Sequence, residues 1–489
     1  MGKILGSLKP EAIWNHFEEI CNIPHPSKHE GAMREYVKEF GKKIGLETIV
    51  DEVGNVIIRK PATPGMENRK GVILQGHLDM VPQANSDVKH NFEKDPIKPQ
   101  IVDGWVKATG TTLGADNGIG VASTLAVLES KDIAHGPIEG LFTIDEETGM
   151  TGAFGLKPGL LKGDILMNLD SEDEGELFIG CAGGTNGNFF FKYSKKPVHK
   201  KAVALKIYVH GLNGGHSGCD IQLGRGNSNK ILFRFLKTAE TNFGLRLASV
   251  EGGNLRNAIP REAFAVVVVP KDKVKEFEKA LKEFEAIVQK ELATAEPNLK
   301  VTLEKAKMPK FVMDKTTQKN LINAINACQN EVVRMSNDME GLVETSTNLS
   351  IVKSDEKTKT VEVRCLLRSS VDSAKEYLEQ SMACVFELAG VSEMTFDGQY
   401  PGWKPNPQSP ILKVTEDLYL KMFGKPAAIK AIHAGLECGL LGGVYPNFDM
   451  ISFGPTIKHP HSPDEKVDIA TVQKFWDYLV ETLKNVPVK

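Results

Sequence analysis

Residues 71–80 read GVILQGHLDM, an apolar run that ends at His77 and Asp79. A short run that is apolar on both faces is typical of a strand buried in a parallel sheet. Three more runs end at polar residues: residues 141–144 before Glu146 and Glu147, residues 165–167 before Asp170, and residues 450–453 before His461. Because ligands of open α/β sheets bind beyond the carboxyl ends of the strands, the pattern predicts an α/β fold with a site at that edge.

The polar residues at these strand ends have metal-binding chemistry. Five of them are candidate ligands: His77, Asp116 in LGADNGIG, Glu147, Asp170 and His461. Three carboxylates and two imidazoles suit two borderline-soft divalent cations, with one carboxylate free to bridge them. Asp79 is placed to orient His77, and Glu146 to act as general base for a water. Each residue taken singly has a structural alternative, as a turn residue or a helix cap, but their shared position favours metal-assisted hydrolysis.

The segments around the strands predict helices that cover the sheet. Residues 10–21 and 32–44 place apolar side chains on one helical face. Residues 117–128 predict a helix of small residues suited to close packing on a sheet. Alternating strands and helices indicate a mostly parallel, helix-covered sheet in residues 1–188.

The pattern changes at about residue 189 and returns at about residue 400. Between these points, half-buried strands and long charged helices replace the parallel-sheet pattern. Because His461 completes the candidate ligand set, residues 400–489 must rejoin residues 1–188 in one discontinuous catalytic domain. Residues 189–399 are then an inserted α+β lid domain.

The lid domain has an internal repeat. Residues 200–296 and 297–395 each predict the order strand, helix, strand, strand, helix, and GGNLRNAI has a short echo in TSTNLSIV. Repeated units of this kind predict two ferredoxin-like halves that share one antiparallel sheet.

Composition excludes several classes of function. The formal net charge of −3 gives no electrostatic case for a nucleic-acid partner or an anionic membrane. No apolar run approaches the ~18 residues that a transmembrane helix needs. Seven cysteines without paired spacing are typical of reduced thiols, so we expect a cytoplasmic protein.

The motifs quoted above resemble those of a known family. GHLDM, LGADNGIG, TIDEETGM, the Asp170 segment and HSPDE are similar to the ligand motifs of the co-catalytic zinc exopeptidases, which include aminoacylase, carnosinase and bacterial dipeptidases. Four further stretches resemble the bacterial aminoacyl-histidine dipeptidase branch: IPHPSKHE, GGHSGCDIQLGRGNSN, GGNLRNAIPREA and HAGLECG. The resemblance spans nearly the whole chain.

The resemblance implies a role for each metal-centre residue. It assigns His77 and Asp170 to one cation, Glu147 and His461 to the other, and Asp116 to both. It also implies that Asp79 orients His77 and that Glu146 activates the water. His459, two residues before His461, is the competing candidate for that ligand position.

The resemblance also implies substrate-binding residues. His216 would donate to the tetrahedral oxyanion, and Asn257, Arg368 and the backbone of Gly435 would hold the terminal carboxylate of the substrate. Arg368 has a structural alternative at a sheet edge, and Asn257 has one as a turn residue.

The expected function is hydrolysis of unblocked dipeptides, including Xaa-His types such as carnosine. The expected cofactors are two divalent cations, with zinc favoured and manganese or cobalt as alternatives. The partners are small peptides, and a homodimer remains open. The alternatives are an N-acyl amino acid deacylase of the same scaffold and a non-catalytic metal-binding protein.

Overall fold

The chain folds into two compact units. The computed structural model describes residues 4–489. Residues up to 180, 405–431 and 436–489 form the first unit, and residues 181–404 and 432–435 form the second. The boundaries expected from the sequence were 188/189 and 399/400. The first boundary lies earlier because residues 183–192 form a strand of the second unit, which the sequence pattern did not predict.

Residues 4–181 contain five α-helices and eight strands among the described residues. The helices are α1 (Glu11–Cys21), α2 (Gly31–Lys43), α3 (Ala115–Glu129), α4 (Glu146–Gly149) and α5 (Thr151–Gly155). The strands are β1 (Glu47–Val50), β2 (Val56–Lys60), β3 (Val72–His77), β4 (Pro99–Val102), β5 (Trp105–Ala108), β6 (Ile138–Thr143), β7 (Ile165–Asn168) and β8 (Glu176–Cys181).

Residues 181–404 form long strands and four α-helices. The strands are β9 (Gly183–Lys192), β10 (Lys195–Pro197), β11 (Ala202–His210), β12 (Gly215–His216), β13 (Arg246–Gly252), β14 (Ala258–Ile259), β15 (Ala263–Pro270), β16 (Lys300–Lys305), β17 (Phe311–Met313), β18 (Glu331–Met335), β19 (Val343–Asp355), β20 (Thr360–Ser369) and β21 (Glu393–Tyr400). The helices are α6 (Ser228–Phe243), α7 (Val274–Glu291), α8 (Lys315–Ala327) and α9 (Asp372–Leu388).

The remaining residues return to the first unit. The helices there are α10 (Pro410–Phe423), α11 (Glu437–Val444) and α12 (Ile469–Asn485). The strands are β22 (Ala428–Ile432), β23 (Asp449–Ser452), β24 (Ile457–Lys458) and β25 (Lys466–Asp468). Among residues 4–489, no helix is both long and apolar enough to cross a membrane.

The main sheet of the first unit has the order β1-β2-β6-β3-β7-β23-β8-β22. Its centre is parallel, because β3 runs parallel to both β6 and β7, and β23 runs parallel to β7. On one flank, β2 pairs antiparallel with both β6 and β1. On the other flank, β8 pairs antiparallel with β23. The predicted parallel pattern therefore describes the four central strands, whose carboxyl ends lie along one edge.

The small-residue helix α3 packs closely, as its composition predicts. It contacts α1 and β3. A Cβ added at Gly118 would lie 2.8 Å from the Phe17 ring, and one at Gly120 would lie 2.6 Å from the Leu169 carbonyl oxygen. Only glycine allows this approach, which brings the start of α3 to the carboxyl edge of the sheet.

The second unit is built on one antiparallel sheet with the order β16-β11-β15-β13-β19-β20-β9-β21, and β18 pairs with β19. β13 of the first predicted repeat pairs with β19 of the second. The predicted bounds of the repeats do not match the strand order, because β16, which opens the second predicted repeat, pairs with β11 of the first, and β9, which precedes both repeats, pairs with β20. A large apolar core, which includes Phe189, Phe233 and Phe386, lies in this unit.

One helix predicted in the second unit is too long at its carboxyl end. The sequence pattern predicts a helix over residues 315–334, but α8 ends at Ala327 and residues 331–335 form β18. Glu331 has φ of 74°, which a helix does not accommodate, and the β-branched Val332 and Val333 that follow favour a strand.

Candidate metal centre

The candidate ligands of the first unit lie at the carboxyl ends of its parallel strands. β3 ends at His77, Asp170 follows β7 by two residues, and Glu147 lies in α4 just after β6. Asp116 is in the first turn of α3, and His461 is in the loop between β24 and β25. The structure therefore brings together residues that are up to 384 positions apart in the sequence.

Two histidines face opposite oxygens of one carboxylate. His77 Nε2 lies 3.1 Å from Asp116 Oδ1 and 3.4 Å from Asp170 Oδ1. His461 Nε2 lies 3.2 Å from Asp116 Oδ2 and 3.0 Å from Glu147 Oε2. Asp116 thus lies between the two imidazoles, with one carboxylate oxygen toward each. A carboxylate that bridges two cations would be placed in this way.

These donor groups suit divalent cations. Ligand atoms of His77, Asp116 and Asp170 lie within 4.8 Å of one another, and so do those of Asp116, Glu147 and His461. Glu147 Oε1 is buried and accepts no hydrogen bond from the residues described. Buried carboxylate oxygens without a donor are costly unless a cation satisfies them.

Glu146 belongs to a third donor group. Its carboxylate lies within 4.8 Å of ligand atoms of His77 and Glu147. Removal from water raises the pKa of Glu146 well above its usual range, although the charge of His77 opposes the shift. A carboxyl group with a raised pKa, held beside a metal site, is suited to accept and return a proton.

Asp79 supports more of the centre than the sequence indicates. His77 Nδ1 donates to the backbone carbonyl of Asp79 at 3.0 Å, which leaves the Nε2 lone pair for a cation. The Asp79 carboxylate accepts the backbone amides of Glu146 at 2.9 Å and Glu147 at 3.2 Å. It also accepts the Ser27 hydroxyl at 2.7 Å. Asp79 therefore contacts His77 through its backbone carbonyl, with Oδ1 3.4 Å from the same Nδ1, and contacts the acidic pair through its side chain.

The acidic surroundings control the protonation of both histidines. Burial alone would lower the pKa of His77, but the Asp170 charge and the Asp116 hydrogen bond hold it well above the usual range. Hydrogen bonds with Asp116 and Glu147 raise the pKa of His461 to about 11. Without cations the centre therefore holds protons where cations would bind.

A buried polar layer under the centre was not predicted from the sequence. Gln75 Nε2 and the Thr143 hydroxyl donate to Glu437 Oε2 at 2.6 and 2.7 Å. Asn168 Nδ2 donates to Gln75 Oε1 at 2.6 Å, and the Ser452 hydroxyl donates to Asn168 Oδ1 at 2.5 Å. The layer crosses β6, β3, β7 and β23 next to the ligand-bearing ends. Its sequence signal is a polar residue in the carboxyl half of each of these strands.

In the second unit, His216 is held as a hydrogen-bond donor. Its Nδ1 accepts the backbone amides of Gly218 at 3.2 Å and Cys219 at 3.1 Å. Burial and the charge of Arg368 lower the pKa of His216, which favours the neutral ring. Because Nδ1 is the acceptor, the proton is on Nε2. An Nε2–H group of this kind is able to donate a hydrogen bond to an anion.

Arg368 is a buried cation of the same unit. It is 5% exposed, and Nη1 donates to the Tyr400 hydroxyl at 3.1 Å. Its Nε is buried and has no hydrogen-bond partner among residues 4–489. Burial and the Arg368 charge lower the pKa of nearby His433 to about 3, and His433 Nε2 lies 2.7 Å from the Ser346 hydroxyl.

The other candidate residues have weaker support. The Asn257 side chain is exposed, and its backbone carbonyl accepts the Ser217 amide at 2.8 Å, next to His216. Gly435 is half-buried and belongs to the second unit. His459 is exposed, and of the two neighbouring histidines only His461 is in a ligand group among the residues described.

Comparison with known proteins finds a matching family and two similar dipeptidases. The model of peptidase family M20/M25/M40 matches residues 73–485. The chain is 47% identical over 485 residues to the cytosol non-specific dipeptidase of Escherichia coli K12, covering 99% of each chain. It is 50% identical to the aminoacylhistidine dipeptidase of Vibrio alginolyticus, whose crystal structure aligns with a TM-score of 0.94 over 99% of this chain and 98% of that one.

A more distant structure shares the fold alone. The aminopeptidase PepT of Bacillus cereus is 17% identical and aligns with a TM-score of 0.61 over 98% of this chain and 100% of that one. The matches confirm the resemblance that the sequence motifs indicated, and the chain belongs to peptidase family M20/M25/M40.

Proposed function

We propose that this chain is a di-metal dipeptidase that hydrolyses unblocked dipeptides, including Xaa-His types such as carnosine. One observation carries the proposal: the two oxygens of Asp116 face His77 and His461 at 3.1 and 3.2 Å, with Glu146 beside them. The dipeptidase names of the E. coli and Vibrio relatives support the substrate class.

We assign one cation to His77 and Asp170, the other to Glu147 and His461, and Asp116 to both. The assignment follows the two donor groups that share Asp116. Each group is complete without Glu146, which leaves that carboxylate for proton transfer. Mixed imidazole and carboxylate donors suit zinc, and also manganese or cobalt.

When bound, two cations would acidify a water and polarise the scissile carbonyl. Glu146 takes the proton of that water and returns it to the leaving amine. The Asp79 carboxylate holds Glu146 in place by accepting a hydrogen bond from the Glu146 backbone amide. His216, neutral and protonated on Nε2, donates to the developing oxyanion, an interaction worth ~3–4 kcal/mol at other oxyanion sites.

Substrate specificity rests on the terminal carboxylate. Arg368 is buried, and its guanidinium Nε has no hydrogen-bond partner among residues 4–489. A guanidinium fork matches a carboxylate with two parallel hydrogen bonds, which favours short peptides with a free carboxyl end. We propose that Asn257 and the Gly435 backbone line the same pocket.

We also propose a cytoplasmic location and leave the homodimer as a prediction. The word cytosol in the name of the E. coli relative supports the location. So do the seven cysteines, among which no disulfide forms in residues 4–489.

The proposed function is tested by hydrolysis of Ala-His and β-Ala-His before and after removal of metal with a chelator. We expect activity to be lost in the metal-free protein and restored by zinc, manganese or cobalt. N-acetylated alanine serves as the comparison substrate, since a deacylase would cleave it and a dipeptidase would not. Full activity of the metal-free protein, or a preference for the acetylated substrate, would contradict the proposal.

A further inference from the structure

A buried carboxylate outside the ligand set holds the segment that carries Asp116. Glu465 is 2% exposed. Its Oε2 accepts the backbone amides of Leu113 at 2.6 Å and Gly114 at 3.0 Å. Its Oε1 accepts those of Ala115 at 2.8 Å and Asp116 at 3.2 Å. One side chain therefore accepts hydrogen bonds from four consecutive backbone amides that lie about 350 positions earlier in the sequence.

Amides at the start of a helix need acceptors from outside the helix. The first amides of a helix lack acceptors within the helix, and a carboxylate there is favoured by the helix dipole. Here the start of α3 is also irregular. Gly114 has φ of 74°, and Asp116 has ψ of 105°, outside the helical range. The irregular turn directs the Asp116 side chain between the two histidines and depends on Glu465 for its backbone hydrogen bonds.

Glu465 is also fixed relative to His461. It follows His461 by four residues, and its own amide donates to the Ser462 carbonyl at 2.9 Å. β25 begins at the next residue and pairs with β5, with Val467 opposite Val106. A single carboxylate thus ties the backbone of Asp116 to the loop that carries His461.

We propose that Glu465 is a positioning residue of the metal centre, which sets the bridging carboxylate of Asp116 relative to His461. The inference rests on the proposed metal-binding function and adds a residue to it. A glutamine at position 465 would present one oxygen to two amides and turn its own NH₂ toward the other two. Asp116 would then lose its fixed position, while every proposed ligand would remain in the chain.

The chain offers a matched control in Glu139 of the same unit. Glu139 is 5% exposed, and its Oε2 accepts two consecutive amides, those of Lys162 at 2.7 Å and Gly163 at 2.8 Å. It lies near the amino end of β6, whereas Glu146 follows the carboxyl end. Glu139 Oε1 also accepts a hydrogen bond from Arg59 Nε at 2.8 Å, so Glu139→Gln weakens both a backbone clamp and a buried ion pair at the opposite end of the strand.

The experiment measures zinc affinity and stoichiometry by competition with a chromophoric chelator, and thermal unfolding of the metal-free proteins. We expect both Glu465→Gln and Glu139→Gln to lower the Tm, because buried amides lose their acceptor. Only Glu465→Gln should weaken zinc binding, by ~10- to 100-fold, as is usual for residues that hold metal ligands.

Glu465→Asp is a second variant in case Glu465→Gln does not fold, and its affinity should lie between those of wild type and Glu465→Gln. Wild-type zinc affinity in the Glu465 variants, or an equal loss in Glu139→Gln, would overturn the positioning role. If the wild-type protein bound none of zinc, manganese and cobalt, the proposed function itself would be overturned, so the two failures are distinguishable.

Discussion

Replacement of Arg368 tests whether the second unit recognises the free carboxyl end of the substrate. The guanidinium is 5% exposed, its Nε has no partner among residues 4–489, and its one hydrogen bond is to the neutral Tyr400 hydroxyl. A buried cation without an anion is costly, so a substrate carboxylate would complete it. The unsatisfied state of Arg368 therefore predicts a strong dependence on that carboxylate.

The magnitude follows from the burial. Removal of one partner of a buried ion pair costs ~3–5 kcal/mol, which corresponds to a loss of ~150- to 5,000-fold in kcat/KM. Arg368→Ala should show this loss on Ala-His, mainly as a raised KM. On amidated Ala-His, which lacks the carboxylate, wild type should already be slow and the variant should change little. Tyr400→Phe removes one neutral hydrogen bond to Arg368, so its loss in kcat/KM on Ala-His should correspond to only ~0.5–1.5 kcal/mol.

Steady-state kinetics on the free and amidated dipeptides measure the effect. Arg234→Ala is the charge control, because Arg234 pairs with Glu291 on the exposed surface of the same unit. It should leave kcat/KM unchanged on both substrates. Equal losses for Arg368→Ala on free and amidated dipeptides would refute carboxylate recognition and make Arg368 a structural residue.

Three further predictions concern the assignment of ligands and the oxyanion donor. Asp116→Ala should lose both metal and activity, since the residue faces both histidines; full occupancy by two cations in elemental analysis would remove it from the site. His461→Ala should deplete one cation and His459→Ala none, and the inverse result would place the ligand at His459. A His216→Ala chain mixed with a Glu146→Ala chain should recover no activity if the internal repeat lets His216 serve its own chain. Subunit exchange must be shown with tagged chains, and recovered activity would place His216 in trans.

Much of the first unit was predictable because its signals are local. An apolar run that ends in His77 predicts both a buried strand and a residue at its carboxyl end, and β3 has that form. The small residues of α3 likewise predict close packing, which Gly118 and Gly120 provide. Strand ends and helix faces depend on neighbours a few residues apart, so they can be read along the chain.

Features that depend on distant partners were not predictable. The Glu465 carboxylate binds amides that precede it by about 350 residues, and nothing near HSPDE indicates them. The strand β9 was missed because its sequence, GGTNGNFFFK, contains three glycines, which disfavour strands in isolation. It forms because β20 and β21 pair with it on both sides. The helix predicted over residues 315–334 was too long for the same reason, since β18 is stabilised by pairing with β19.

The most direct test of the account compares Glu146→Gln with Glu147→Gln in metal content and turnover. Both residues lie near His77, but Glu147 Oε2 contacts His461 at 3.0 Å and completes a donor group without its neighbour. We predict that Glu146→Gln binds two cations like wild type while kcat on Ala-His falls ~10²- to 10⁴-fold, the usual contribution of a general base. Glu147→Gln should instead lose one cation. A Glu146→Gln protein that loses a cation, or that keeps more than roughly a tenth of wild-type kcat, would contradict the role of Glu146 as the base.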